Sequence, residues 1–170
     1  MTDEPAVTLP MPQERDHPID IVEAIAQEEE WGYERSGDGN EVTILVEGRC
    51  TDYQVSFTWM EDVEALHIGC AFDLKVGEHT VRDLQELISL INAELWIGHF
   101  DLWKLEGLVV FRYALILAEF EVRGGQVIAM LQSALSTCEN HYAAFQHIVW
   151  AGSTAREALA AALLRTEGNA

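Results

Sequence analysis

The side chains best able to do chemistry in this chain are six histidines, three cysteines and a large excess of carboxylates. The histidines are His17, His67, His79, His99, His141 and His147. None forms HxxxH or HExxH, and the spacing of His141 and His147 places them on different sides of a helix. No metal site is expected from them, because ligation needs convergent donors at recognised spacings. Cys50, Cys70 and Cys138 lie far apart with no CxxC pair. An odd, sparse set of this kind suits a reducing compartment better than a disulfide framework. Cys70 and Cys138 fall on apolar faces and read as small core residues. There is no GxSxG elbow, and Gly124-Gly125 opens a helix without the lysine of a phosphate-cradling loop. The sequence therefore nominates no catalytic residue, no cofactor and no metal.

Composition narrows the partners. Ten Lys+Arg against 29 Asp+Glu give a formal net charge of −19, with a sequence pI near 4.4. Such a field repels nucleic-acid phosphates and suits partners carrying basic segments. The 170 residues and the 49% apolar fraction fit one globular domain with a real core. A membrane helix needs about 20 consecutive apolar residues. The longest run here, Leu108 to Ala118, is far shorter and is broken by Arg112. No basic segment followed by an apolar core opens the chain, so no signal peptide and no membrane association are expected, and the protein is read as cytoplasmic.

The elements that must position these residues follow from periodicity. Residues 1–15, with Pro5, Pro10 and Pro12, read as a flexible leader, and 16–170 as a single α+β domain. Asp16 is expected to cap a helix entered through Pro18, with Ile19, Val22, Ile25 and Ala26 on one face. The acid-rich stretch from Glu14 to Glu41 reads as a solvated helix face and loop. Three strands follow as a meander. Val42, Ile44 and Val46 define the first, Tyr53, Val55, Phe57 and Trp59 the second, and Leu66, Ile68, Cys70 and Phe72 the third. A second helix starts at a capping box of Thr80 and Asp83 and runs through Leu84, Leu87, Ile88 and Ile91 to Leu95. "HFDLWKLEGLVVFRYALIL" then reads as a β-hairpin turning at Glu106-Gly107. A long helix from about Gln126 continues, with a bend, to Trp150. Thr154 with Glu157 starts a short alanine-rich helix. The predicted order is α-βββ-α-ββ-α-α, an antiparallel sheet (a three-strand meander plus a hairpin) with helices packed on it.

The hairpin holds the residues most suited to binding. His99, Asp101 and Trp103 share its more polar face, where a tryptophan fits a groove or an interface. Arg112, between Phe111 and Tyr113, needs a carboxylate if buried, and the candidate partners are Asp101 on the facing strand and an acid from a second subunit. Trp96, His99, Phe100, Trp103, Arg112 and Tyr113 are the candidates for a dimer or peptide-binding surface.

The blocks "HPIDIVEAIAQEEEWGYER", "EGRCTDYQVSFTWMEDVEALHIGCAFDL", "INAELWIGHFDLW", "EGLVVFRYALIL" and "AAFQHIVWAGSTAREALAAALL" resemble the YbjN family of bacterial proteins, in particular its alphaproteobacterial branch. The resemblance spans about His17 to Thr166, and "LWIGHFDLW" and "IVWAG" are its most specific motifs. Ala143 in "HYAAFQ" stands where members tend to have proline, which should leave the long helix less kinked. The resemblance implies a sensory transduction regulator with the fold of type III secretion chaperones. Those are small, acidic, cytosolic homodimers that bind extended segments of client proteins. It implies no catalytic residues. The resulting expectation is a non-enzymatic, homodimeric protein-binding module with a client or signalling partner. The alternative is a small-ligand sensor or enzyme using a pocket between sheet and helices, with His67, His99 or Asp101 as polar groups.

Overall fold

A computed structural model describes residues 16–118 and 121–167. The expected leader at 1–15 and the last three residues of the expected domain lie outside the described residues. The elements are α1 (Pro18–Glu28), β1 (Tyr33–Arg35), β2 (Glu41–Glu47), β3 (Asp52–Met60), β4 (Ala65–Phe72), α2 (Val81–Asn92), β5 (His99–Trp103), β6 (Leu108–Ile116), α3 (Gly124–Ala151) and α4 (Ala155–Glu167). The strands form one antiparallel sheet in the order β1-β2-β3-β4-β6-β5. The hairpin thus joins the meander through its second strand, and β5 becomes an edge.

Period-two alternation decides which side of the sheet is covered. Val42, Ile44, Tyr53, Val55, Phe57, Leu66, Ile68, Phe72, Phe100, Val109 and Phe111 share one core with α1 (Ile19, Val22), α2 (Leu84, Leu87, Ile91) and α3 (Leu131, Ala134, Phe145). Ala155 and Ala158 of α4 complete that layer. The out-of-phase residues face the other way. Thr43, Ser56, Gly69, Arg112 and His99 pair in one continuous row across five strands. Of the residues on this face, none joins the core cluster.

Several local expectations are corrected. The cap of α1 is His17, whose Nδ1 accepts from the Ile19 N–H at 3.3 Å. Asp16 is one residue too early, because Pro18 already takes the first helical position. The capping box at Thr80 does not form. Thr80 is itself in the right-handed helical region after the 3-10 turn Glu78–Thr80, and its hydroxyl donates to the Gly77 carbonyl at 2.8 Å. Helix α2 stops at Asn92, leaving Leu95 in the connection to β5. Strand β1 lies in the stretch read as helix face and loop. It is held by Arg35, which pairs with Asp20 at 2.7 Å and Glu23 at 2.6 Å of α1. Helix α3 runs unbroken for 28 residues. The Thr154–Glu157 box does form, with Glu157 Oε2 accepting from the Thr154 N–H at 3.0 Å and hydroxyl at 2.9 Å.

One buried carboxylate ties α3 to the β2–β3 turn. Glu139 Oε1 accepts from the Arg49 N–H at 2.8 Å and the Cys50 N–H at 3.4 Å. Its Oε2 lies 3.2 Å from Arg49 Nε, and the side chain is 7% exposed. Gly48 is required beside it, since a Cβ there would sit 2.6 Å from Glu139 Oε1 and 2.5 Å from the Thr51 carbonyl. Burial alone would raise the Glu139 pKa. The Cys50 thiol, the Arg49 N–H and the Tyr53 hydroxyl outweigh it and hold the carboxyl below its ordinary value. A carboxyl depressed in the folded state stabilises the fold above its unfolded pKa, about 4.3, and loses that contribution as pH falls through the folded value. Glu139→Gln should therefore flatten the acid limb of stability between about pH 5 and pH 3. At neutral pH it should cost about 1.5–3 kcal/mol, the range for hydrogen bonds to charged groups. Urea midpoints across that range check both, and an unchanged acid limb would show that the clamp carries no charge-dependent stability.

Candidate binding face of the sheet

Arg112 is the centre of the sheet face that no described helix covers. Directly opposite it on β4 is Gly69, which has no side chain, so the guanidinium can lie across the sheet. There its Nε donates to His67 Nε2 at 3.3 Å and its Nη1 to Asp101 Oδ2 at 3.3 Å. Its guanidinium carbon stands 5.9 Å from the centre of the Trp103 ring, a cation–π distance. Asp101 also accepts the Leu102 N–H at 2.8 Å. The expected Arg112–Asp101 pair is thus present. Both contacts of Arg112 are longer than the 2.7–2.9 Å of strong charge-assisted bonds. The two side chains are 36% and 43% exposed, so this pair contributes at most about 1 kcal/mol.

His67 is kept neutral. Burial, then Arg112, then His99 lower its pKa, against a smaller opposing pull from Glu41. A neutral ring is what the Arg112 contact needs, because Nε2 must accept. Around this group runs a shallow cleft of about 400 Å³ lined by Met60, His67, Gly98, His99, Arg112, Tyr113 and Ala114. Large apolar side chains are exposed on the same face. Ile116 is 72% exposed, Met60 45% and Trp103 39%, and Leu45 further along the face is 64% exposed.

The six expected surface residues divide four ways. His99, Trp103 and Arg112 come together on the uncovered face. Trp96, 99% exposed, stands in the connection between α2 and β5. Tyr113 alternates to the inner side and lines a second groove, about 290 Å³, with Ile97, Leu115, Gln126, Ala129, Met130 and Ser133. Phe100 is corrected: at 1% exposure it belongs to the core. Its ring packs on Phe145, Phe111, His141 and Phe72 at centroid distances of 5.1, 5.5, 5.7 and 6.3 Å. Period two demands this, since His99 and Asp101 on either side point outward. Sequence reasoning passed over Met60, Ile116 and Leu45 as surface residues. Their signal was available, because each is an apolar residue out of phase with its strand's core set. Among the described residues no group of three His, Cys, Asp or Glu is placed to hold a metal ion, and no helix is long and apolar enough to cross a membrane. Cys70 and Cys138 are buried free thiols, and Cys50 is exposed.

Residues 18–147 match the YbjN family, described as "putative bacterial sensory transduction regulator", and the chain belongs to that family. No curated protein matches it. Among solved structures it is similar to YbjN from E. coli, described as a "putative transcription regulator", at 11% identity and a TM-score of 0.51. That match covers 70% of this chain and 84% of the other. It is also similar to a chain of the ExsC–ExsE complex, at 14% identity and a TM-score of 0.51, covering 77% and 92%. At these identities the likeness is one of fold.

Two tests probe the geometry of the face. In a histidine NMR titration His67 should titrate below the ordinary value of about 6.5. Arg112→Ala should move its midpoint upward without restoring it fully, because burial is the larger cause. A His67 midpoint insensitive to Arg112 would show that the two do not interact. Gly98 opens β5 with φ +69°, and a Cβ there would meet the Phe111 ring and lie 2.8 Å from the Arg112 carbonyl. Gly98→Ala should cost about 1–3 kcal/mol, a fall of several degrees in Tm, read by thermal melting.

Proposed function

We propose that this member of the YbjN family is a non-enzymatic protein-binding module of the bacterial cytoplasm, a homodimer with a regulatory or client-binding role. The observation that carries the reading is the uncovered sheet face, where Trp103 and Ile116 stand exposed beside a partly paired arginine. Tryptophan and arginine are the residues most enriched where protein partners meet. A β-sheet normally leaves a polar surface where it faces water. Here Leu45, Met60, Trp103 and Ile116 break that rule on one side of one sheet. The family's description as regulators and the ExsC fold, solved as a complex with ExsE, support a protein partner. The net charge of −19 favours one with basic segments.

The second reading, a ligand or catalytic pocket between sheet and helices, has less behind it. The space beneath the sheet is filled by Phe72, Phe100, Phe111 and Phe145. The groove beside α3 is mostly apolar and contains none of His67, His99 and Asp101.

Sedimentation equilibrium at micromolar concentration should give about twice 19.0 kDa; a clean monomer would sink the homodimer. Trp103→Ala and Ile116→Asp should weaken self-association or recovery of a specific client by at least tenfold, with the circular dichroism unchanged. Retention of both activities would move the interface off this face. A thermal-shift screen against metabolites should be flat, and stabilisation of several degrees by one compound class would favour the ligand reading.

A further inference from the structure

Strand β5 has β6 on one side and, among the described residues, no strand on the other. Along such an edge alternate residues turn their N–H and C=O groups outward, a ready template for another chain. On β5 the outward residues are Phe100 and Leu102, and three of their four backbone groups, all but the Leu102 carbonyl, are engaged by side chains. Asn92, the last residue of α2, donates its Nδ2 to the Phe100 carbonyl at 2.9 Å and accepts the Phe100 N–H through Oδ1 at 2.8 Å. A single primary amide thereby makes both bonds that a residue of a neighbouring strand would make. The Leu102 N–H donates to Asp101 Oδ1 at 2.8 Å, and the other oxygen of Asp101 is held by Arg112 at 3.3 Å. Leu84, Leu87, Ile88 and Ile91 fasten α2 to the core, which delivers Asn92 to the edge. The opposite edge, β1, is three residues long, and short edges are poor templates.

We propose that Asn92, assisted by Asp101, is an edge stop that closes β5 to strand addition by a second copy of this chain. Removing the side chain exposes two adjacent ladder groups and converts the edge into a site of self-pairing. This stands whether or not the outer face is the docking surface.

Asn92→Ala in the full chain tests it, both alone and combined with Ile116→Asp so that association through the face is disabled. The charge of −19 opposes association, so sedimentation velocity is run at about 0.5 M salt, where the screening length is roughly 4 Å. The expected result in both backgrounds is larger species that grow with concentration. In dilute solution the Phe100 amide should exchange with deuterium at least tenfold faster than in the parent. Asn92→Asp keeps the acceptor for the Phe100 N–H and adds charge at the edge, and it should stay at the parent's size. If Asn92→Ala keeps the parent's size at every concentration while the Phe100 amide is released, Asn92 merely ties helix to strand and the proposal is overturned. It is overturned without any variant if the Phe100 amide of the parent exchanges as fast as unpaired amides. Should the alanine variant fail to fold, Asn92→Ser gives the same readings.

Discussion

The Phe100–Phe111 pair, matched in register across β5 and β6 with ring centroids 5.5 Å apart, is the contact on which the uncovered face depends. Below it lie Phe145 at 5.1 Å from Phe100 and Phe72 at 5.4 Å from Phe145, so strand pairing and helix packing meet at one cluster. Aromatic groups bury 150–250 Å² each and dominate a core of this size. Because the side-chain period of a strand is two, seating these rings inward leaves His99, Asp101 and Arg112 no option but to face out. A slip of one residue in the hairpin would bury Arg112 and expose Phe111. The outward face and the core are thus two consequences of the same register.

The arginine in the apolar strand is tolerable for a related reason. Gly69 opposite it clears a path across the sheet, and the side chain keeps partial contact with water. It escapes the several kcal/mol that desolvating an ion costs. Its contacts to Asp101, His67 and Trp103 orient it without saturating its five donors. The guanidinium is thus oriented but incompletely paired, on the same face as the exposed Trp103 and Ile116. At the margin of that face, Asn92 engages the N–H and carbonyl of Phe100 and Asp101 engages the Leu102 N–H along the outer edge of β5.

Much of this was legible beforehand. Alternation in "DYQVSFTWM" and "HFDLWKLEGLVVFRYALIL" was enough to place the strands and to set Arg112 and Asp101 on neighbouring strands, where they meet diagonally. Local signals that depend on backbone state were read less well. Thr80 has the residue type of a cap, yet its backbone is already helical, and Asp16 loses the role to His17 because the proline fixes the helix start. Strand β1 carries no periodicity of its own and exists through pairing to β2 and through Arg35 reaching α1.

By itself the sequence determined the classes of element, their order, the apolar phase of each strand and the acidity of the surface, because these follow from side-chain type at fixed local spacing. It did not determine where β6 would insert, that Phe100 would be sealed while Trp103 stayed open, or that Asn92 would bond the backbone of Phe100 eight residues away. Those depend on which elements lie side by side. Only the packed structure, in which the described helices all cover one face of the sheet, decides that.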